Sequence, residues 1–278
     1  ELLQNTMSIT EKMRKRGGGI LDINLLDMTD KIENYYQLLV TFNTCDSMGA
    51  NFINSILESF GHTLQNFFSR QNQLDEMSRD IEIVMCILSN YTPECCVKVW
   101  VECHVDDLNG VDEHLDGKGF AEKFKKAVDI AHIDVYRATT HNKGIYNGID
   151  AVVIATGNDF RATEAAGHAF AARNGRYESL STVDIKDGIF RFTLEVPLAL
   201  GTVGGLTSLH PLAKKSLELL GNPSAQELMM IAAAMGLANN YAAVKSLTTK
   251  GIQQGHMKMH LANILNQLGA KESDKIKA

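Results

Sequence analysis

The sequence is poor in the residues that build spacers and cross-linked scaffolds. Only 4 of its 278 residues are proline, which excludes a proline-rich linker protein. Its 5 cysteines are odd in number and form no CxxC pair. A fully paired disulfide framework is thereby excluded, and free thiols in a reducing, cytoplasmic compartment are expected. No secretory signal pattern heads the chain. Its first residue is Glu1 rather than methionine, which points to a processed chain or a piece of a longer one. No apolar run approaches the roughly 20 residues of a bilayer span. The longest, Leu228 to Ala238, reads as a buried helix, so no membrane partner is expected. Long basic runs are absent as well. With 27 basic and 33 acidic residues the net charge is −6, and Lys12, Arg14, Lys15 and Arg16 form one local cluster. Nucleic acid is not an expected partner. Nor is there a GxGxxG after a strand, so an ordinary Rossmann unit is excluded.

What is present is a globular composition, 45% hydrophobic and 22% charged, enough for about two domains. Residues 8–16 read as a polar helix stopped by Gly17-Gly18-Gly19. Strands are expected over Leu21–Leu26 and Gln37–Phe42. Phe52, Ile56, Phe60, Leu64 and Phe67 or Phe68 recur at helical spacing. Ile81–Leu88 reads as a buried strand. Cys96–Val105 alternates as a half-buried strand, and Phe120, Phe124, Val128 and Ala131 mark another amphipathic helix. His141–Gly148, between apolar segments, reads as a polar, glycine-bearing loop. An alanine-rich helix is expected from about Phe160 to Arg173, followed by a hairpin turn at Lys186-Asp187-Gly188. Ser224 and Glu227 have capping-box spacing. Strands and helices come in blocks, which favours an α+β fold.

Four segments could carry chemistry. Asp46-Ser47-Met48-Gly49-Ala50-Asn51 opens a helix, where free N–H groups and positive potential suit a phosphate; on local pattern alone, an N-cap at Asp46 or Ser47 explains it better. Lys143, among polar and glycine residues, could stabilise a developing oxyanion or be a solvated side chain. Thr156-Gly157-Asn158-Asp159 offers either a carboxylate partner for Lys143 or a helix cap. His256 and His260 share a helical face; one could act as a general acid, or both could sit at the surface. Cys95, Cys96, Cys103 and His104 lack metal-site spacing, so no metal is expected.

Taken in order, these segments closely resemble 3-hydroxy-3-methylglutaryl-coenzyme A (HMG-CoA) reductase of the soluble bacterial-type class. The matching text is Asp46 to Asn51, Tyr136-Arg137-Ala138-Thr139-Thr140-His141-Asn142-Lys143-Gly144, Ala155 to Asp159, Gly201-Thr202-Val203-Gly204-Gly205 with Leu209-His210-Pro211, and Gly251-Ile252-Gln253-Gln254-Gly255-His256-Met257. The resemblance implies an α+β fold, a large, mainly helical domain carrying an inserted ferredoxin-like nucleotide-binding domain. Residues 1–92 would be most of the small domain, 93–255 part of the large one, and 256–278 the start of a C-terminal helical flap.

The implied reaction is the four-electron reduction of HMG-CoA to mevalonate and free CoA by two NAD(P)H. Lys143, Asp159 and His256 would be catalytic: Lys143 at the oxyanion, Asp159 aiming it, His256 protonating the leaving thiolate. Arg137, Asn147 and Asn90 would contact substrate. Asp46, Ser47, Met48, Gly49, Ala50 and Asn51 would bind the dinucleotide. Thr10 aligns where NADH-preferring members carry an acidic residue, so NADPH is the expected cofactor and NADH the alternative. The resemblance also implies a homodimer, or an assembly of dimers, with the site between subunits. The family's catalytic glutamate segment has no match here, and the flap ends early. A chain of these residues alone is therefore expected to bind ligands but turn over poorly. A non-catalytic binding module, or an enzyme working in the degradative direction on mevalonate, are the competing readings.

Overall fold

Gly17 and Gly19 adopt φ of +90° and +128°, backbone that glycine reaches without a Cβ penalty, and they end the first helical segment. In the computed structural model, which describes residues 1–249, 251, 264–265 and 267–269, that segment is α1 (Leu2–Asn5) and α2 (Met7–Arg14). The strands β1 (Gly19–Asp27) and β2 (Tyr36–Asn43) follow, then α3 (Ala50–Ser69) and α4 (Glu76–Arg79). Next come β3 (Cys96–His104), α5 (Gly117–Ile133), α6 (Val135–Ala155) and α7 (Phe160–Ala171). The chain continues through β4 (Ser181–Lys186), β5 (Ile189–Pro197), α8 (Leu206–Leu209), α9 (Pro211–Leu219) and α10 (Ala225–Thr248). The mixture is the α+β class expected. Among the described residues no helix is long and apolar enough to cross a membrane.

The chain forms two units, each assembled from three stretches of sequence. The first comprises 1–90, 156–158 and 199–228. Its strands β1 and β2 pair antiparallel. The apolar spacing in α3 buries Ile56 and Phe60, and Met13 of α2 is buried too. Asn5 ties α1 to α3 by donating to Thr63 Oγ1 at 3.0 Å.

Residues 81–88 correct the expectation of a buried strand. They enter no strand ladder, and Val84, Met85 and Ile87 are exposed. The segment lies along α3 instead. Leu88 N–H donates to Asn54 Oδ1 at 2.9 Å, and Cys86 lies beside Gly61. Apolar content signalled a strand, but a strand also needs a neighbour to pair with.

The second unit comprises 91–155, 159–198 and 229–278. Its antiparallel sheet has the order β3-β5-β4. Asp187 and Gly188, at φ of 51° and 77°, make the β4–β5 turn, as their residue types predict. Phe124 is fully buried at the centre of the core. Its ring meets Phe120, Phe190, Phe192 and Tyr241 at centroid distances of 5.2 to 5.8 Å.

The second correction concerns His141–Gly148, which is not a loop. It lies inside α6, a single helix of 21 residues. Gly148 serves packing rather than turning: a Cβ there would meet the Met235 carbonyl carbon of α10 at 2.6 Å and Gly236 N at 3.0 Å. Two helix backbones touch there, which only glycine permits.

Candidate active-site residues

Within the first unit, three segments far apart in sequence converge. The Asp46 backbone carbonyl accepts from Thr202 N–H and Val203 N–H at 2.8 and 3.2 Å. The Asp46 carboxylate accepts from Ala225 N–H, at the start of α10, at 2.8 Å. Asn158 clasps Gly201 twice, accepting from its N–H at 2.8 Å and donating to its carbonyl at 3.0 Å. A Cβ on Gly201 would strike Met48 N at 2.5 Å, so glycine is required.

Asp46 therefore supports the start of α10, a helix 179 residues away, and does not cap the adjacent α3. Ser47 donates to Thr44 O at 2.9 Å and does not cap it either. The N-cap of α3 is Gly49, at φ 81°, and no side chain caps the helix. With Ala50 and Asn51 in its first turn, α3 thus presents backbone N–H groups not used by a side-chain cap. That arrangement suits an anion.

Thr10, aligned with the acidic position of NADH-preferring members, lies in α2. It is buried, and its hydroxyl donates to Thr6 O at 3.0 Å within its own helix. Of the neighbouring cations, Lys15 pairs with Glu11 at 2.7 Å. Lys12 and Arg14 have no acidic partner within 4.0 Å among the described residues. Asn90 is exposed at the end of the unit's first stretch.

Within the second unit, α6 presents Lys143 and Asn147 one turn apart on its exposed side, while Arg137 is half-buried. The opposite side of the helix is pinned by a polar network. Asn142, fully buried, donates to Glu178 O at 2.8 Å and accepts from Leu180 N–H at 3.0 Å. His141 Nε2 lies 2.6 Å from Ser181 Oγ. That hydroxyl donates to Asn240 Oδ1 at 2.8 Å, so it accepts from a protonated His141 Nε2. Burial, then the charges of Arg137 and His132, hold the His141 pKa down to about 4, and the ring is neutral near pH 7.

Asp159 is the N-cap of α7 and accepts from Arg161 and Ala162 N–H at 3.0 and 3.2 Å. Its carboxylate pairs with Arg161 at 3.1 Å. Hydrogen bonding from Arg161 is the main cause holding its pKa below the usual carboxylate range. No ion pair joins Asp159 to Lys143 among the described residues. His256 lies outside the described residues, as do His260 and the surrounding motif.

Two features were not read from the sequence. One is the Asn158–Gly201 clasp. The other is Asp150 on α6, where burial, then the charge of Glu164 on α7, pushes the carboxyl pKa up to about 7. A helical projection of 135–155 would have placed Asp150 in line with Asn147 and Lys143.

Residues 1–261 match the family model described as Hydroxymethylglutaryl-coenzyme A reductase. The chain belongs to this family. It is 35% identical, over 271 residues, to the 3-hydroxy-3-methylglutaryl-coenzyme A reductase of Archaeoglobus fulgidus, covering 97% of this chain and 58% of that protein. It is 34% identical to the probable enzyme of Borreliella burgdorferi, covering 95% and 59%. Among solved structures it resembles the class II reductase of Streptococcus pneumoniae bound to NADPH. There the TM-score is 0.78 at 38% identity, covering 90% of this chain and 64% of that one. A second structure of the S. pneumoniae reductase gives a TM-score of 0.79, also at 38% identity, and covers 98% and 62%. The chain spans about three-fifths of the length of these family members.

Proposed function

We infer that the protein of which this chain is the described part reduces HMG-CoA to mevalonate and CoA, drawing on reduced nicotinamide. Family membership supports the reading, and one structural observation carries it: α6 presents Lys143 and Asn147 one turn apart on its exposed side. A lysine ammonium so placed stabilises the oxygen that becomes negative as the thioester carbonyl is reduced, an effect worth a few kcal/mol per good donor. Asn147 donates to the same substrate, and Arg137 supplies a planar fork for its free carboxylate. Asp159 acts from the start of α7, where Arg161 keeps it ionised. His256 gives a proton to the departing CoA thiolate, a task suited to a group titrating near neutrality.

Residues 1–92 serve as the nucleotide-binding domain, with Asp46–Asn51 at the pyrophosphate and Asn90 at the substrate. The nicotinamide supplies hydride. Lys12 and Arg14, free of acidic partners, favour a 2′-phosphate and hence NADPH, the cofactor named for the S. pneumoniae structure. The working protein is a homodimer or an assembly of dimers, in the cytoplasm.

The test is HMG-CoA-dependent loss of reduced-nicotinamide absorbance by the full-length protein and its Lys143→Ala variant, with both cofactors. Turnover that vanishes in the variant and is faster with NADPH is expected. No turnover with either cofactor overturns the reading, and a clear NADH preference overturns the cofactor assignment alone.

A further inference from the structure

The three-stranded sheet of the second unit ends in an unpaired strand. In the order β3-β5-β4, β3 is terminal. Its 9 residues pair with β5 in unbroken register, from Cys96 opposite Pro197 to His104 opposite Ile189. Among the described residues, no backbone–backbone hydrogen bond outside that ladder involves residues 96–103. The strand has neither a proline nor a bulge, two of the devices that keep such edges from pairing with another chain. Trp100 and Val101, at its middle, are 57% and 50% exposed.

The ladder fixes which groups point to the free edge. Leu198 N–H donates to Cys95 O at 3.0 Å, and Val105 N–H donates to Gly188 O at 2.8 Å. Backbone groups alternate in direction along an antiparallel strand, so the odd-numbered residues between these two bonds turn to β5. The N–H and C=O groups of Cys96, Lys98, Trp100 and Glu102 therefore point outward. His104 N–H, at the strand end, donates to Asp107 Oδ2 at 3.1 Å. The same even-numbered residues share one face of the sheet, and along it Lys98, Trp100 and Glu102 run cation, aromatic, anion. Arg191 donates to Glu102 through Nε and Nη2 at 2.7 and 2.6 Å, both to Oε2, so neither bond uses Oε1. Lys98 has no acidic group within 4.0 Å among the described residues.

We propose that β3 is the seam of a two-fold dimer, paired antiparallel with β3 of a second copy about Trp100. Trp100 is the midpoint of Cys96–His104, so this register alone overlaps the two strands along their whole length. It sets Lys98 opposite Glu102 of the second copy and, by symmetry, Glu102 opposite Lys98 of the second copy. The outward N–H and C=O groups of the even-numbered residues meet one another in hydrogen-bonded pairs. The two Trp100 residues form a directly opposed aromatic pair, with Cα atoms about 5.5 Å apart. Sliding by two residues removes both charge pairs and sets Trp100 against Glu102 or against Lys98. Sliding by one places the faces in conflict. A lysine in an edge strand ordinarily discourages pairing; here Glu102, four residues on, supplies the opposite charge at the matching position. The seam gives the association proposed above a surface, and it rests on strand geometry and charge, not on the reductase reading.

The experiment uses the chain as it stands, whose 1 tryptophan is Trp100, so fluorescence reads the seam directly. Sedimentation velocity should show wild type passing from monomer to dimer as concentration rises, with Trp100 emission moving to shorter wavelength over the same range. Lys98→Glu and Glu102→Lys each bring like charges together twice per dimer. Each should weaken association roughly tenfold or more and delay the emission shift equally. Both substituted side chains are exposed, so circular dichroism of both variants should match wild type. Mixed one to one, the two variants place opposite charges at both positions, and dimer and emission shift should return. A wild type that stays monomeric at every concentration overturns the proposal. A dimer indifferent to both substitutions pairs through another face and overturns it too. Variants that weaken association but are not restored by mixing overturn the register. Emission already shifted in the monomeric full-length protein means that the rest of the longer chain covers β3, and overturns the second copy as its occupant.

Discussion

Gly148 and Gly144 are one helical turn apart on α6, yet alanine should have opposite effects at the two positions. At Gly144 the nearest atom to a new Cβ is Ala243 Cβ, at 4.0 Å, an ordinary contact. There alanine removes the backbone entropy penalty of glycine in a helix and should stabilise by about 0.5–1 kcal/mol. At Gly148 the same propensity gain is available, but the Cβ would lie 2.6 Å from the Met235 carbonyl carbon and 3.0 Å from Gly236 N. Both obstacles are backbone, so no rotamer change relieves them. Reaching an ordinary contact of 3.4 Å with that carbon alone means parting α6 and α10 by about 0.8 Å, and the Met235 carbonyl oxygen lies closer still, in an interior that deforms reluctantly. Overpacking of this kind costs about 1–3 kcal/mol, or more where backbone must move, and outweighs the propensity gain. Urea unfolding followed by far-ultraviolet circular dichroism, with the slope held common, should put Gly144→Ala above wild type and Gly148→Ala below it. Equal or greater stability of Gly148→Ala would refute the backbone contact and the helical placement of this segment.

Two further effects follow from the same geometry. His141 is held neutral, so the folded state binds fewer protons than the unfolded chain between pH 6.5 and about 4. Stability from this group is lost as pH falls through that window, by up to about 3 kcal/mol. His141→Gln should flatten the acid limb of a plot of unfolding free energy against pH; an unchanged limb would refute the assignment. Replacing Asp46 by alanine removes the acceptor of Ala225 N–H and should cost about 1 kcal/mol in urea unfolding, with Asp46→Asn recovering most of it. An unchanged midpoint in Asp46→Ala would show that the contact contributes nothing.

Periodicity was legible in the sequence wherever one face is buried. The spacing of Phe120, Phe124, Val128 and Ala131 located α5, and Ser224 with Glu227 located the start of α10, where the Ser224 N–H meets Glu227 Oε2 at 2.7 Å. Local reading failed where partners are distant. Gly144 and Gly148 look like loop residues until α10 is packed against them. Residues 81–88 look like a strand until a partner is sought. The candidate site was legible as wording, through the order of its motifs, but not as contacts. Nothing near Asp46 announces Ala225, and nothing in Thr156–Asp159 announces that Asn158 holds Gly201 while Asp159 turns to Arg161.

That first unit is closed by chain made late. Asp46 waits for Ala225, and the clasp on Gly201 waits for residues beyond 198. At 5–20 residues per second, the ribosome needs on the order of ten to forty seconds to make the 179 residues that separate Asp46 from its partner. During that interval the first 90 residues are held only by their own helices and one hairpin, with Leu21, Leu25 and Leu39 facing solvent. Their vulnerability to aggregation should therefore follow translation speed over the middle of the message. Slow codons there would lower soluble yield without altering one amino acid.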